Sequence, residues 1–220
     1  MSGGWRQAGW RLPSVLEQAR MLVRERLMGG RGESIPDNDG QISMQERNRR
    51  ILAVDATVGN GHDTLFLAEC VGANGLVYGF DIQSAAIEAA SNRLSDARLL
   101  QRVVLLEAGH ERLAEMLPQD TKGNLQAVMF NLGYLPGGDK SVITRADTTV
   151  RALQTALEWL APQGVITCVI YPGHPGGAEE SDRVLQWART VDQRQAQVLW
   201  YRFLNQQNRP PTLLAISRNG

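Results

Sequence analysis

The segment FNLGYLPGG, residues 130–138, carries residue types that can hold and orient an amine. It follows an apolar run and supplies an amide at Asn131, a flexible glycine and an aromatic ring at Tyr134. The Asn131 side-chain oxygen and the Leu132 carbonyl can accept N–H bonds from an amine and aim its lone pair at a reacting carbon. Tyr134 can stack on the ring that carries the amine. The alternative is an Asx-type turn that only ends a strand.

A second segment, DATVGNGHDT at residues 55–64, has the glycines and the helix start of a ligand-binding loop. Gly59 and Gly61 let the backbone pass close beneath a ligand, and the N–H groups that begin the helix can bind it. A dinucleotide loop would have a third glycine where Thr64 stands, so a pyrophosphate is disfavoured. The loop fits the amino acid part of S-adenosylmethionine, with Asp55 at the α-ammonium directly or through water. The alternative role of Asp55 is to cap the loop.

Asp81, the acid after the next apolar run, can accept hydrogen bonds from both hydroxyls of a ribose. NAD-binding folds share this feature, so it identifies a ribose and not a whole cofactor.

These segments follow predicted strands in a chain that alternates between strand-like and helix-like patterns. Apolar runs predict strands at residues 51–56, 76–81, 102–107, 125–131 and 164–171. Amphipathic patterns predict helices at residues 62–71, 83–94, 111–117, 144–161 and 178–191. Such alternation gives a parallel sheet with helices on both faces, in which all carboxyl ends of the strands meet at one edge. Ligands bind at that edge.

Two further strands, predicted at residues 196–205 and 212–218, close the chain. A short polar loop joins them, so they pair antiparallel, since a parallel return needs about a dozen residues. Parallel strands followed by an antiparallel hairpin indicate an α/β, Rossmann-like fold of the class I S-adenosylmethionine-dependent methyltransferases. We assign residues 51–220 to this catalytic domain, and residues 1–50 to an N-terminal helix followed by a flexible insertion.

All three histidines of the chain come just after predicted strands. Their spacing matches no metal-binding motif, so we predict no metal. Contacts to cofactor or substrate are the favoured role for at least two of them, and positions on the surface or behind the contacting residues are the alternative. Glu107, His110 and Glu111 lie where class I methyltransferases usually bind adenine. The residues expected to contact the cofactor are Asp55, Thr57, Gly59, Asn60, Gly61, His62, Asp63, Asp81, Gln83, His110, Glu111 and Asn131.

The reacting end of the site is expected to contain Asn131, Tyr134 and His174. An alkylammonium must lose a proton before it can attack a methyl carbon. His62, Asp63, His174 or bulk water could accept that proton, and the sequence does not choose between them.

The composition is that of an ordinary globular protein of one domain. The chain has 220 residues, 43% of them hydrophobic, and no net formal charge. Cys70 and Cys168 lie within apolar runs and are expected to be buried free thiols in a reducing cytosol. We expect a cytoplasmic protein without a secretory leader or a membrane span. Basic residues exceed acidic ones before residue 51 and after residue 198, which is either surface variation or a basic rim for a polyanion.

The chain contains six motifs, DATVGNGHDTLFLA, YGFDIQ, GHERL, FNLGYLPGGDK, YPGHPGGAEE and YRFLNQQNRPP. Together they resemble the rRNA methylase family, and the resemblance covers residues 51–218 in order. Members of this family of the MnmM type have been assigned as tRNA wobble-uridine methyltransferases. The resemblance implies that S-adenosylmethionine is the methyl donor and that a 5-aminomethyl-2-thiouridine is converted into its 5-methylaminomethyl form.

The resemblance also implies a tRNA partner, bound through its anticodon stem-loop, where a base can be splayed out without melting a duplex. Tyr201, Phe203 and residues 205–208 could help to bind that loop, or could only pack the closing hairpin. The alternatives are an rRNA or small-molecule amine methyltransferase, and a non-catalytic module that binds the cofactor or RNA. Both a monomer and a homodimer are compatible with the sequence.

Overall fold

The computed structural model describes residues 11–29, 50–135, 137 and 143–220. A seven-stranded sheet runs through the molecule. Its strands are β1 Leu52–Asp55, β2 Leu76–Asp81, β3 Val103–Glu107, β4 Leu125–Asn131, β5 Leu160–Ile170, β6 Ala196–Tyr201 and β7 Thr212–Arg218. The order across the sheet is β3-β2-β1-β4-β5-β7-β6. Strands β1 to β5 are parallel, and β7 runs antiparallel to both β5 and β6. The predicted α/β fold with its closing antiparallel hairpin is therefore confirmed.

Six α-helices lie within the described ranges. They are α1 Val15–Arg24, α2 His62–Val71, α3 Ser84–Asp96, α4 Leu113–Met116, α5 Ala146–Trp159 and α6 Gly177–Ala188. Helix α1 begins with a capping box, in which the Ser14 hydroxyl accepts from the Glu17 N–H and the Glu17 carboxylate accepts from the Ser14 N–H. In the part of the chain that the structure describes, no helix is long and apolar enough to cross a membrane.

Alternate residues of the central strands face opposite sides of the sheet, as the pleat requires. Val54 and Val128 pack in one apolar cluster with α4, α5 and α6. Ala53 and Ala127 pack in a second cluster with α2, the end of α3 and Val23 of α1. Both faces of the central strands are thus covered, which explains why these strands are continuous apolar runs in the sequence. Both cysteines are buried, as predicted, and neither forms a disulfide.

Helix α1 packs on the sheet beside the antiparallel end. Val15 and Ala19 contact β5 and β7, and partly buried Tyr201 and Phe203 complete this cluster. The Tyr201 hydroxyl donates to the Pro13 carbonyl at 2.6 Å. Tyr201 and Phe203 therefore make the contacts expected of residues that pack the closing hairpin. The domain boundary at residue 50 stays a prediction, and most of the predicted insertion, residues 30–49, lies outside the described residues.

The predicted boundary between helix and strand at residues 161–164 is wrong. Helix α5 ends at Trp159, and Leu160 is already extended and paired with Leu125 of β4. The ladder between β4 and β5 is irregular after this pair, which lets the exposed Pro162 and Gln163 lie within the strand.

Two other predicted elements differ from the structure. Strand β6 ends at Tyr201 instead of residue 205, since Pro210 and Pro211 precede β7 and have no N–H to extend the ladder. The helix predicted at residues 111–117 is a 3-10 turn, His110–Arg112, followed by the single helical turn of α4.

Candidate active site

A cavity of about 780 Å³ opens at the carboxyl ends of β1, β2 and β4. Its size suits a cofactor or a ligand of similar mass. Strand β1 lies between β2 and β4, where the strand order reverses, and open α/β sheets bind ligands at such a point. The predicted residues in its wall are Thr57, Gly59, Asn60, His62, Asp63, Asp81, Gln83, His110, Glu111, Asn131, Tyr134 and His174. Asp55 and Gly61 are not part of the wall.

The glycines of the first loop have different roles. Gly61 precedes α2 with a φ of +76°, and a Cβ there would lie 2.7 Å from the Ala90 Cα. Only glycine therefore allows α2 and α3 to approach this closely. Gly59 instead faces the cavity, and its N–H donates to the Asp81 carboxylate at 2.8 Å.

Asp55 lies beneath this loop and holds it together. Its carboxylate accepts from the Thr57 N–H at 3.1 Å and from the Thr64 hydroxyl at 2.6 Å. The side chain is almost fully buried, and burial, with a smaller contribution from the Asp63 charge, raises the pKa of Asp55 to about 7. These contacts match the capping alternative, and Thr64 has a structural role where a dinucleotide loop has glycine.

The Asp81 carboxylate, at the end of β2, can accept more hydrogen bonds than the two that fix its position. One carboxylate oxygen accepts from the Gly59 N–H and the other from the Gln83 N–H at 3.0 Å. Because each carboxylate oxygen has two lone pairs, both oxygens can accept a further hydrogen bond from a ribose hydroxyl.

His110 places an unpaired acceptor in the cavity wall. Its Nδ1 lies 3.2 Å from the Ala56 carbonyl, which can only accept, so Nδ1 carries the proton and Nε2 bears the lone pair. Burial lowers the pKa of His110, which keeps the ring neutral at pH 7. Within the described residues, the buried Nε2 has no hydrogen-bond partner. An exocyclic amino group such as that of adenine would satisfy it, so this end of the cavity fits a nucleoside.

Asn131 is fixed at the end of β4 by contacts at both its backbone and its side chain. Its N–H donates to the Thr57 hydroxyl oxygen at 2.7 Å, and its Nδ2 donates to Asp63 Oδ2 at 3.0 Å. Asp63 Oδ1 in turn accepts from the Arg20 Nε at 2.9 Å and from its Nη2 at 2.7 Å. The Asn131 side-chain oxygen makes no hydrogen bond within the described parts of the chain.

Tyr134 and His174 form the outer part of the same site. Their rings meet edge to face at 5.9 Å, and Tyr134 is 40% exposed. Gly133 has a φ of +126°, and a Cβ there would lie 3.5 Å from His174 Nε2. The His174 Nδ1 lies 2.9 Å from the Pro175 carbonyl, so Nε2 carries the lone pair of the neutral ring.

The segment after β4 is held by a buried carboxylate. Glu180, in the first turn of α6, accepts from the hydroxyls of Thr144 and Thr149 at 2.7 and 2.6 Å. The Thr144 hydroxyl oxygen also accepts from the Gly133 N–H at 2.9 Å. This chain of hydrogen bonds fixes the backbone next to Tyr134.

Three residues that support the site were not predicted from the sequence: Arg20, Thr144 and Glu180. None directly follows a strand, and a polar residue on a helix or loop gives no indication of the neighbour it faces. The available signal was the second glutamate of the motif YPGHPGGAEE, which is Glu180.

The strand order, the closing hairpin and the position of the glycine loop beside Asp81 are those of a class I S-adenosylmethionine-dependent methyltransferase. A model of the family described as "Putative rRNA methylase" matches residues 77–217. Because this match spans more than half of the chain, the protein belongs to that family. The resemblance found in the sequence motifs is therefore confirmed.

One similar protein is named for its activity on tRNA. The chain is 45% identical over 139 residues to a chloroplastic tRNA (mnm(5)s(2)U34)-methyltransferase of Arabidopsis thaliana. The aligned region covers 60% of this chain and 50% of that protein. The chain thus spans half the length of this relative.

Two solved structures cover nearly the whole chain. The crystal structure of a protein described as a "putative rRNA-methylase" from Clostridium thermocellum matches this chain with a TM-score of 0.82 and 39% identity. The match covers 95% of this chain and 100% of that chain. A methyltransferase from Streptococcus mutans, solved in complex with SAH, has a TM-score of 0.75 and 29% identity, and covers 94% of this chain and 99% of its own.

Proposed function

We propose that this protein methylates the amino group of 5-aminomethyl-2-thiouridine at the wobble position of tRNA, with S-adenosylmethionine as the methyl donor. The observation that carries the proposal is the Asn131 amide, whose NH2 end is held by Asp63 so that its oxygen is left to accept from a substrate. Two comparisons support it: the name of the Arabidopsis relative describes such a uridine methyltransferase, and the Streptococcus protein binds SAH.

The cavity wall offers a contact for each part of the cofactor. Asp81 would hold the ribose hydroxyls, His110 Nε2 would accept from the adenine amino group, and residues 57–60 would lie under the amino acid part. When bound, S-adenosylmethionine supplies a methyl group on a positively charged sulfur, which leaves as a neutral thioether.

Asn131 and Tyr134 orient the acceptor amine. Asn131 Oδ1 and the Leu132 carbonyl accept its N–H bonds, and the nitrogen lone pair then points along the remaining direction, into the cavity. The exposed face of Tyr134 provides a surface on which the pyrimidine can stack. A wobble base fits this arrangement, because a base in the anticodon loop can leave its stack without melting a duplex.

We infer that His174 removes the proton from the amine, after its ring turns to expose Nε2, which is buried in the free protein. Its Nε2 carries a lone pair next to the Tyr134 ring and has no partner among the described residues. Asp63, another candidate, already accepts from Arg20 and Asn131 through both of its oxygens. Loss of this proton leaves the amine neutral and its lone pair free to bond to the methyl carbon.

The function is tested with total tRNA that lacks the final methyl group, incubated with the protein and labelled S-adenosylmethionine. We expect nucleoside analysis to show labelled 5-methylaminomethyl-2-thiouridine. Asn131→Ala should lower the rate about 100-fold, because the amine loses its orientation. The dissociation constant of this variant for S-adenosylmethionine should stay within about twofold of the wild-type value, since the substitution mainly affects the binding of the amine. The control Asn124→Ala removes a half-buried amide just before β4 and outside the cavity wall, and should leave the rate and the dissociation constant unchanged.

The other outcomes of this experiment separate the alternatives. Label found only in rRNA, or only in free amines, would contradict the tRNA substrate and retain the chemistry. Cofactor binding without label in any acceptor would indicate a binding module instead of an enzyme. The cytoplasmic location, the anticodon stem-loop as binding partner and the monomeric or homodimeric state stay predictions.

A further inference from the structure

We propose that Arg20, on the N-terminal helix, is a positioning residue for the reaction: it fixes Asp63, and Asp63 determines which end of the Asn131 amide faces the cavity. The inference rests on the proposed function, because it assumes that Asn131 holds the amine. It adds helix α1, which precedes the residues matched by the family model, to the parts of the chain that build the site.

The contacts form one continuous chain from the helix to the site. Arg20 donates twice to Asp63 Oδ1, at 2.9 and 2.7 Å, and Asn131 Nδ2 donates to Asp63 Oδ2 at 3.0 Å. The Asp63 side chain is 11% exposed, whereas that of Arg20 is 41% exposed. Asp63 lines the cavity and Arg20 does not, so Arg20 acts through its neighbour.

The two ends of an asparagine amide have nearly the same shape and opposite hydrogen-bonding properties. A carboxylate accepts hydrogen bonds and cannot donate them, so Asp63 selects the NH2 end of Asn131 and leaves the oxygen for the substrate. With the NH2 end turned to the substrate, Asn131 would face the N–H bonds of the amine with N–H bonds of its own. Therefore only the orientation with the Asn131 oxygen towards the cavity can accept the N–H bonds of the amine.

Arg20 is needed because a carboxylate with a single partner can rotate about its side-chain bonds. The two donors of Arg20 hold Oδ1, which leaves Oδ2 directed at Asn131. Helix α1 is itself fixed, since Val15, Ala19 and Val23 bury one of its faces against the sheet and α2. The Arg20 guanidinium also lies 5.6 Å from the Phe66 ring, which limits its motion.

The chain provides a matched control on the same helix. Arg24, one turn further on, lies 5.4 Å from the same Phe66 ring and makes no hydrogen bond to Asp63. Arg24→Met therefore removes a charge and a ring contact of the same kind, and leaves the Asp63–Asn131 contact in place.

The first test compares methylation rates. We expect Arg20→Met to lower kcat for tRNA about tenfold, with an unchanged dissociation constant for S-adenosylmethionine, and Arg24→Met to match wild type. Arg20→Lys should recover part of the loss, because lysine restores one donor. In an Asp63→Ala background, Arg20→Met should have no further effect, since its partner is already absent. Rate losses that multiply in the double variant would overturn the inference, as would a wild-type kcat for Arg20→Met.

The second test needs no activity and so separates this inference from the proposed function. The Asn131 side-chain NH2 signals in an NMR spectrum of the free protein are identified by their loss in Asn131→Ala. We expect them to shift in Asp63→Ala and Arg20→Met, and to stay in place in Arg24→Met. Signals that do not respond to Arg20→Met would overturn the inference even if the protein methylates tRNA. Signals that respond in a protein that methylates no RNA would leave the orientation of Asn131 supported and the proposed function refuted.

Discussion

The proposed role of His174 as a general base rests on three features: an Nε2 lone pair that has no partner among the described residues, contact with the Tyr134 ring and a position beside Gly133. We expect His174→Ala to lower kcat about 100-fold near neutral pH, because the amine must then lose its proton to water. The loss should shrink as the pH is raised, since more of the amine is then neutral in solution. Methylation rates of the two proteins across the pH range test this.

A purely structural role for His174 predicts a different pH profile. Misfolding or weaker packing would lower kcat by the same factor at every pH, and two parallel pH profiles would therefore contradict the role as a base. The dissociation constant for S-adenosylmethionine provides the control, because a proton acceptor for the amine should not change it.

Asp55 gives the folded protein a pH-dependent stability. In the unfolded chain an aspartate loses its proton near pH 4, whereas burial raises the pKa of Asp55 in the fold to about 7. Between these values the folded state holds a proton that the unfolded state has released. The contribution of Asp55 to the free energy of unfolding is therefore present at low pH and is lost as the pH rises through about 7.

Asp55→Asn removes this contribution and keeps a group of the same shape. We expect the free energy of unfolding of the variant to rise relative to wild type between about pH 4 and about pH 7, and to keep a constant difference above that. Urea denaturation at a series of pH values measures the difference. Two curves that stay parallel over this range would show that the pKa of Asp55 is not raised.

At the level of secondary structure elements, residues 133–134, which follow β4, pair with residues 143–144. Gly133 and Thr144 exchange hydrogen bonds through the Thr144 N–H and hydroxyl, and Tyr134 pairs with Ile143. The Glu180 carboxylate on α6 accepts from the same hydroxyl. The position of Tyr134 therefore depends on a contact between two elements that are distant in sequence.

Thr144→Val tests this dependence. The change removes the hydrogen-bond partner of the Gly133 N–H and of one Glu180 carboxylate oxygen, Oε2, while Oε1 keeps its bond from the Thr149 hydroxyl. It should lower the free energy of unfolding by about 1–3 kcal/mol. We expect the KM for tRNA to rise and the affinity for S-adenosylmethionine to stay the same. Thr190→Val removes a hydroxyl that donates to the Trp187 carbonyl in the last turn of α6 and contacts neither Gly133 nor Glu180, and it serves as the control. Equal losses for both ligands would contradict a specific effect on the substrate.

The elements themselves were predictable because each carries its own pattern: strands are apolar runs, helices have an apolar face, and glycines mark the turns. Their order then determined that Asp81, His110 and Asn131 would meet at one edge of the sheet. The missed contacts have a different origin. Arg20 lies 43 positions before Asp63, and its direction depends on how α1 packs against β5 and β7. Strand β6 ends early because of prolines on the other side of the hairpin, which no pattern within β6 records.

At the level of the whole molecule, the zero net charge conceals two exposed arginines in the cavity wall, Arg145 and Arg209. Neither makes an ion pair within the described residues. Asn208 and Arg209 both have a positive φ, +63° and +49°, a conformation that costs of order 1 kcal/mol or more for each non-glycine residue. The turn lies beside Gly173, and the surrounding structure holds its strained backbone in place.

Phosphates of a bound RNA would pair with these two arginines. We expect Arg145→Gln with Arg209→Gln to weaken tRNA binding and to reduce the slope of log affinity against log salt concentration by about 1.5, which corresponds to two lost phosphate contacts. The rate at saturating tRNA should change little, since neither residue contacts the amine. Arg151→Gln, on the exposed side of α5 and outside the cavity wall, is the control and should leave the slope unchanged. An unchanged slope in the double variant would place the RNA elsewhere on the surface, and an equal decrease in the control would show that only the total charge matters.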